Sequence, residues 1–495
     1  MKSSLKSKVF SGVIWMAGIS ACQQIMAFFV QIILARLLVP HDYGVAALVM
    51  TIGSFAVVFS TVGIGTAIVQ KKNLSPATID AVAIITAGIA VLLGGILFLT
   101  SNVIGRYYGL DEMPFLLKLV ALDIFLKVLI SLYSSLMLRE LQYRALSCRT
   151  FVGLIAQSVV SIVLALHGYG AKSLVIGYVL GSAMQLGLCM ATTRYVPRTL
   201  GDYNGVKSIF QFGGWILLGR MSNQAAHVLD QMVITKFLNV SSLGLVNVSK
   251  RLTSIIPNTF LGFAGSVALP VFSKWQDDVG RIEAAYWLGL RINMLVVFPL
   301  CALTGLFSYQ ILALLYGAKW LMGDVLMKIL SLQVALISID SGYCASVINA
   351  TGNPRYGTIV MIASLLLIPG FIYIGSFWGL IGIGWGMVAY SAMFVLINQL
   401  VLRSLLHFHV LQLPISIIRA TMPIIPMIVA GCGLQSLNVV PRFDIVPAFL
   451  SIEWFSLAVR LAVCGIVCLG VYVVTARLTS SDDFLFLWNG IRRRK

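Results

Sequence analysis

The sequence predicts an all-α polytopic membrane protein of about 14 transmembrane helices, built as two six-helix repeats followed by two further helices. Three observations carry that reading. The 495 residues are 59% hydrophobic and only 11% charged, with a mean hydropathy of +0.95, more apolar surface than a soluble fold can cover. Apolar segments of bilayer-spanning length recur along the whole chain, joined by short polar connections. Sliding the chain along itself by 200 residues brings Phe10, Trp15, Gln24, Gln31, Leu38 and Gly44 onto Phe210, Trp215, Gln224, Gln231, Leu238 and Gly244 without a gap.

Taken in order, the first span covers 10–38. Lys2, Lys6 and Lys8 before it imitate a signal peptide, but the apolar run outlasts the ~7–15 residues of a signal and reads as a retained helix. Spans at 45–69, 79–104 and 114–137 follow. The last holds Asp123 and Lys127, four residues apart and able to neutralise each other on one helix face. Spans 147–167 and 171–193 meet at the glycine-rich turn 167–170. The second copy supplies 208–238, 242–272, 284–316, 323–350, 355–376 and 379–404. Within its last hairpin, Gly375, Gly379, Gly382 and Gly386 suit close helix packing; a nucleotide loop would need a preceding strand. Spans 414–434 and 455–478 lie beyond the repeat. The expected organisation is a six-helix lobe in 1–200, a second in 201–405, and two additional helices with a basic tail in 406–495.

The net charge of +18 is explained by topology and not by nucleic acid. With the N-terminus inside, about 21 of the 35 Lys and Arg residues fall on cytoplasmic ends and loops and about 6 outside. Lys71, Lys72, Arg139, Arg144, Arg194, Arg198, Lys274, Arg281 and the tail Arg492–Lys495 make up much of the inner set. Both termini are therefore expected in the cytoplasm of a plasma-membrane protein. Arg291, Lys328 and Arg460 lie near span ends, within snorkelling reach of the interface. The eight cysteines form no CxxC pair and read as small packing residues, not as disulfides or metal ligands. No Walker A, HExxH or GxSxG sequence occurs, so no enzyme activity, cofactor or metal is expected.

Span 7 is the richest segment. Arg220, Asn223, Gln224, His227, Asp230 and Gln231 fall on one side of a helix, and span 1 repeats a paler stripe with Ser20, Gln23, Gln24 and Gln31. Polar glue between helices would explain some of these residues. A cation, an imidazole and a carboxylate on one stripe fit the wall of a hydrated cavity better. Span 8 adds Lys250 and Arg251, which point about 100° apart, so one of the two is expected to face that cavity. Asp340, in span 10, has no basic residue within a turn and is a candidate for coupling to a proton or sodium ion.

At this point short motifs resemble a known family. LARLLVPHDYG at 34–44, GIGTAIVQKK at 63–72, QFGGW at 211–215 and LPVFSKWQDD at 269–278 are similar to motifs of the bacterial polysaccharide-export flippases, with the nearest likeness to the colanic-acid exporter group. That family lies in the multidrug/oligosaccharidyl-lipid/polysaccharide (MOP) superfamily, with the MATE transporters and the lipid II flippase. The resemblance covers roughly residues 5–405 and implies a MATE-like, two-lobed transporter. It further implies alternating access that moves undecaprenyl-pyrophosphate-linked oligosaccharide to the periplasmic leaflet for exopolysaccharide, capsule or O-antigen synthesis, with a polysaccharide polymerase as a possible partner. One departure stands out: relatives often begin helix 8 with Tyr-Asn and a nearby Arg, where this chain has Val246, Asn247 and then Lys250-Arg251.

The residues suit such a substrate. Arg220, with Lys250 or Arg251, offers charge-assisted donors to a pyrophosphate, and Gln24, Gln31, Asn223, Gln224 and Gln231 offer amides to sugar hydroxyls. A cation-coupled multidrug efflux transporter of the MATE type is the alternative; it would favour an acid-dominated, aromatic cavity. A polysaccharide synthase or polymerase would need catalytic carboxylates or a large external loop, and the sequence has neither.

Overall fold

The computed structural model describes residues 2–61, 75–193, 195, 204–275, 278–340, 343–351, 354–406, 408, 412–437, 439 and 451–479, with some side chains in α1, α2, α7, α8, α11, α13 and α17 outside the described set. Every regular element among them is helical. In chain order these are α1 (Lys2–Leu37), α2 (Pro40–Thr61), α3 (Pro76–Tyr108), α4 (Met113–Arg139), α5 (Tyr143–Leu166), α6 (Ala171–Thr193), α7 (Asn204–Phe237) and α8 (Val240–Lys274). There follow α9 (Val279–Leu306), α10 (Ser308–Leu315), a 3₁₀ turn (Ala318–Gly323), α11 (Asp324–Asp340), α12 (Tyr343–Ala350), α13 (Pro354–Ser376), α14 (Gly379–Leu406), α15 (Gln412–Thr421), α16 (Ile424–Ser436) and α17 (Ile452–Thr479).

Eleven spans among the described residues are long and apolar enough to cross a bilayer. The other three expected positions hold α4, α7 and α8, of 27, 34 and 35 residues, each with charged side chains well inside its ends. Three expected spans are divided. Span 284–316 is α9 followed by α10, broken at Phe307, whose side chain is buried. Span 323–350 becomes α11 and α12. Span 414–434 splits into α15 and α16 at Pro423, whose ring cannot continue a helix.

By contacts the chain divides into Met1–Gly244 and Leu245–Lys495, whereas the sequence repeat divides near residue 200. The difference is α7, which begins the second copy but packs against α2 and α3. In the first unit, α5 and α6 form the tightest hairpin. A Cβ on Gly177 would lie 2.0 Å from Ser161 Oγ, and one on Gly181 3.0 Å from the Gly153 carbonyl oxygen, so only a glycine face admits the neighbouring backbone. Asp123 and Lys127 form the expected pair at 2.7 Å.

This unit also holds a buried polar group that the sequence reading passed over. Tyr195 donates from its hydroxyl to Asp80 Oδ1 at 2.5 Å, and Tyr133 donates to the Tyr195 carbonyl at 3.0 Å. Nearby Arg149, 6% exposed, donates to Ser134 Oγ at 2.5 Å and to Cys189 Sγ. These bonds join the ends of α3, α4, α5 and α6 and satisfy part of a costly buried polar group, with Arg149 Nε left without a hydrogen-bond partner.

In the second unit, Tyr286, Trp287 and Phe408 make the aromatic centre, and Tyr286 accepts a 2.6 Å bond from Gln399 Nε2. The two helices beyond the repeat are anchored by side chains to backbone: Gln435 to Leu306 O at 2.8 Å, Trp454 to Leu314 O at 2.7 Å, and Tyr472 to Leu295 O at 2.6 Å. Lys328 pairs with Asp324 at 2.9 Å instead of simply reaching for the interface, and Arg291 Nε donates to Trp287 O at 3.3 Å. Gly375, Gly382 and Gly386 sit against facing backbone as expected, with added Cβ atoms 2.1–2.5 Å from carbonyl oxygens. Gly379 differs: at φ +70° with open space around it, it turns the chain into α14. The cysteines are free thiols, Cys464 and Cys468 buried.

Candidate functional site

Residue spacing sorts the α7 stripe into three rows. Arg220, Asn223 and His227 step by three and four along the helix, and all three are exposed. Arg220 is the seventeenth of 34 residues in α7, about 25 Å from either end at the helical rise of ~1.5 Å per residue. Among the described residues neither Arg220 nor Asn223 has a side-chain hydrogen bond or ion pair.

The second row is Gln224 and Gln231, both half-buried. Gln224 Nε2 donates to Ser54 Oγ of α2 at 2.7 Å, which makes it a packing contact in this state and not a free sugar ligand. Ser54 was not singled out from the sequence; a serine in an apolar helix gives no signal until its partner is known. Gln231 keeps a buried Oε1 without a hydrogen-bond partner. On the third row, Asp230 is 2% exposed beside buried Ala226 and Ile234. Its Oδ2 lies 3.7 Å from His227 Nδ1, so the acid is tied to the exposed row through the imidazole.

The paler stripe in α1 is not stacked on this one: α1 packs against α5, while α7 packs against α2 and α3. Gln24 is exposed, whereas Gln31 is 5% exposed with its Oε1 buried and unpartnered. Gln23 donates to Ser147 O at 3.4 Å. In the second unit, Arg251 is exposed and Lys250 half-buried, as adjacent positions on a helix require. Asp340 ends α11, and its side chain lies outside the described residues, as do 63–72, the side chains of 211–215, and the basic tail.

That unit also carries an apolar groove of about 410 Å³ between α9, α11, α15 and α16, lined by residues such as Phe298, Ile339, Ile424 and Ile428. No cluster of potential metal ligands occurs among the described residues.

A multi-pass helical membrane protein with an arginine at the middle of a long helix that has no ion pair among the described residues, flanked by amides and a His–Asp pair, has the makings of a transporter and not of a soluble binding module. The chain belongs to the polysaccharide biosynthesis protein family, whose family model matches residues 33–324. It is 22% identical over 306 residues to the succinoglycan biosynthesis transport protein ExoT of Rhizobium meliloti (strain 1021), covering 62% of each chain. To the lipopolysaccharide biosynthesis protein WzxC of Escherichia coli (strain K12) it is 23% identical over 402 residues, 78% of this chain and 79% of that one. Its fold matches the lipid II flippase MurJ in an inward closed conformation with a TM-score of 0.72, at 15% identity, over 95% of this chain and 99% of that one. The expected family and the helical fold are thus both found.

Proposed function

We propose that this protein moves undecaprenyl-pyrophosphate-linked oligosaccharide repeat units from the cytoplasmic to the periplasmic leaflet of the inner membrane, by alternating access and without enzymatic chemistry. The observation that carries the reading is the exposed Arg220 at the middle of α7, which has no partner among the described residues. A cation there costs ~2.5–3.5 kcal/mol on insertion scales, and an anionic head group is the partner that offsets it. Exposed Arg251 supplies a second cation, and Asn223, Gln24 and Gln231 supply amides for sugar hydroxyls. The apolar groove beside α15 and α16 suits a hydrocarbon tail, which lets the lipid stay in the bilayer while its head passes. ExoT and WzxC, named for polysaccharide transport and lipopolysaccharide synthesis, support this substrate class.

Both termini are placed in the cytoplasm on the charge bias, and the two six-helix repeats, 1–200 and 201–405, are taken as the moving lobes. A polysaccharide polymerase is the partner the product calls for, since flipped repeat units must next be joined. Deleting the gene is the test: lipid-linked repeat units should accumulate facing the cytoplasm and exported polysaccharide should disappear. Unchanged polysaccharide together with new sensitivity to cationic drugs would favour efflux.

Coupling to a proton or sodium ion is assigned to Asp340 and to the His227–Asp230 pair. The 3.7 Å separation of that pair is the one feature that also suits a cation-coupled efflux pump. Asp340→Asn and Asp230→Asn are each expected to slow transport about tenfold, the size of a lost proton-transfer or ion-binding step of roughly 1.4 kcal/mol, while leaving binding of the sugar lipid intact. Transport at the wild-type rate in both variants would remove these acids from the mechanism.

A further inference from the structure

A groove at one end of the first unit is built differently from everything described so far. It lies between the last turns of α3 and α7, holds about 490 Å³, and is lined by Val103, Ile104, Tyr107, Tyr108, Met232 and Val233, with Lys236 and Phe237 at its rim. Lys236 Nζ stands 4.1 Å from the centre of the Tyr107 ring. Lys236 is exposed and has no carboxylate or hydrogen-bond acceptor among the described residues; its ammonium lies on the Tyr107 ring face. A cation–π contact at an exposed site contributes about 0.5–1 kcal/mol, and it holds the ammonium at the level of a bilayer's head groups with its outer side open to an anion. Tyr107 and Phe237 are 60% and 53% exposed. Aromatic rings beside a lysine at a helix end mark the membrane–water interface, with the apolar groove reaching inward from it.

We infer that this groove is a resident site for one anionic phosphodiester lipid, of the phosphatidylglycerol type, with an acyl chain against Val103, Ile104, Met232 and Val233 and the phosphate on Lys236. Charge decides the occupant. The lining offers one cation, which matches a monoanionic phosphodiester; a pyrophosphate head calls for at least two. The leaflet is the outer one in the orientation proposed above, and the site itself does not depend on the transport reading.

Native mass spectrometry of the full-length protein released from detergent, with phosphatidylglycerol and phosphatidylcholine offered in equal amounts, tests the site. Wild type should retain phosphatidylglycerol about fivefold over phosphatidylcholine, the factor expected of a single interfacial basic residue. Lys236→Gln should bring the two lipids to parity, and Lys236→Arg, which keeps the charge and the ring contact, should preserve the preference. The Arg variant also shows that any loss in Lys236→Gln comes from charge and not from misfolding. Equal retention of the two lipids by wild type, or an unchanged preference in Lys236→Gln, would overturn the assignment. So would retention of undecaprenyl pyrophosphate ahead of phosphatidylglycerol, since the groove would then belong to the transported lipid.

Discussion

Arg220→Ala is expected to insert and accumulate normally, yet to leave lipid-linked oligosaccharide on the cytoplasmic leaflet, with export slowed about 10- to 100-fold, the range for losing a hydrogen bond to a charged group. The guanidinium is exposed, so its removal leaves no cavity in the packing. It has no protein partner among the described residues, so its removal strands no carboxylate. Stability should therefore hold or rise slightly, because a cation without a partner among the described residues leaves the middle of a long helix. Arg220→Lys should keep part of the rate, as a point charge without the bidentate fork. The measurement is the pool of lipid-linked repeat units in cells carrying each variant, normalised to protein in the membrane fraction. Failure of Arg220→Ala to accumulate would make the residue structural.

Gly44→Ala is expected to be among the most damaging single-methyl changes in the protein. A Cβ on Gly44 would stand 1.9 Å from the Val240 carbonyl oxygen, and one on Gly244 would stand 1.9 Å from the Pro40 carbonyl oxygen. The two contacts exchange under the 200-residue offset: 44 becomes 244, and 240 answers to 40. This reciprocal crossing joins the starts of α2 and α8, and nothing flexible can yield, because the obstructing atoms are backbone. Overpacking typically costs about 1–3 kcal/mol, occasionally more, so each single variant should lose several degrees of melting temperature in detergent. The double variant should lose less than the sum, since one displacement relieves both clashes. A melting temperature equal to wild type in Gly44→Ala would show that the crossing is looser than this geometry.

The helices were largely legible because a bilayer imposes length and apolarity together, so composition alone marked out most spans. The breaks were less so. Pro423 divides α15 from α16 in plain sight, but Phe307 ends α9 for reasons of packing that no local pattern carries. The stripe on α7 was legible as a stripe, since helical spacing is fixed. Its division into an open row and a packed row was not, because Gln224 is committed by Ser54, a residue 170 positions away. Arg149 and Asp80 escaped notice for a similar reason: each sits near a span end, where a charge is unremarkable until burial shows it enclosed. The 200-residue offset correctly paired Gly44 with Gly244, and it did not foretell that α7 would pack with the first unit.

The central claim is most directly tested with purified protein in vesicles holding a lipid-linked oligosaccharide in both leaflets, probed by a membrane-impermeant glycosidase added outside. Wild-type vesicles should expose the whole oligosaccharide pool to the enzyme, while Arg220→Ala vesicles should digest the inner-leaflet share about 10- to 100-fold more slowly. Digestion of wild-type vesicles that halts at the outer-leaflet share seen without protein would contradict the account.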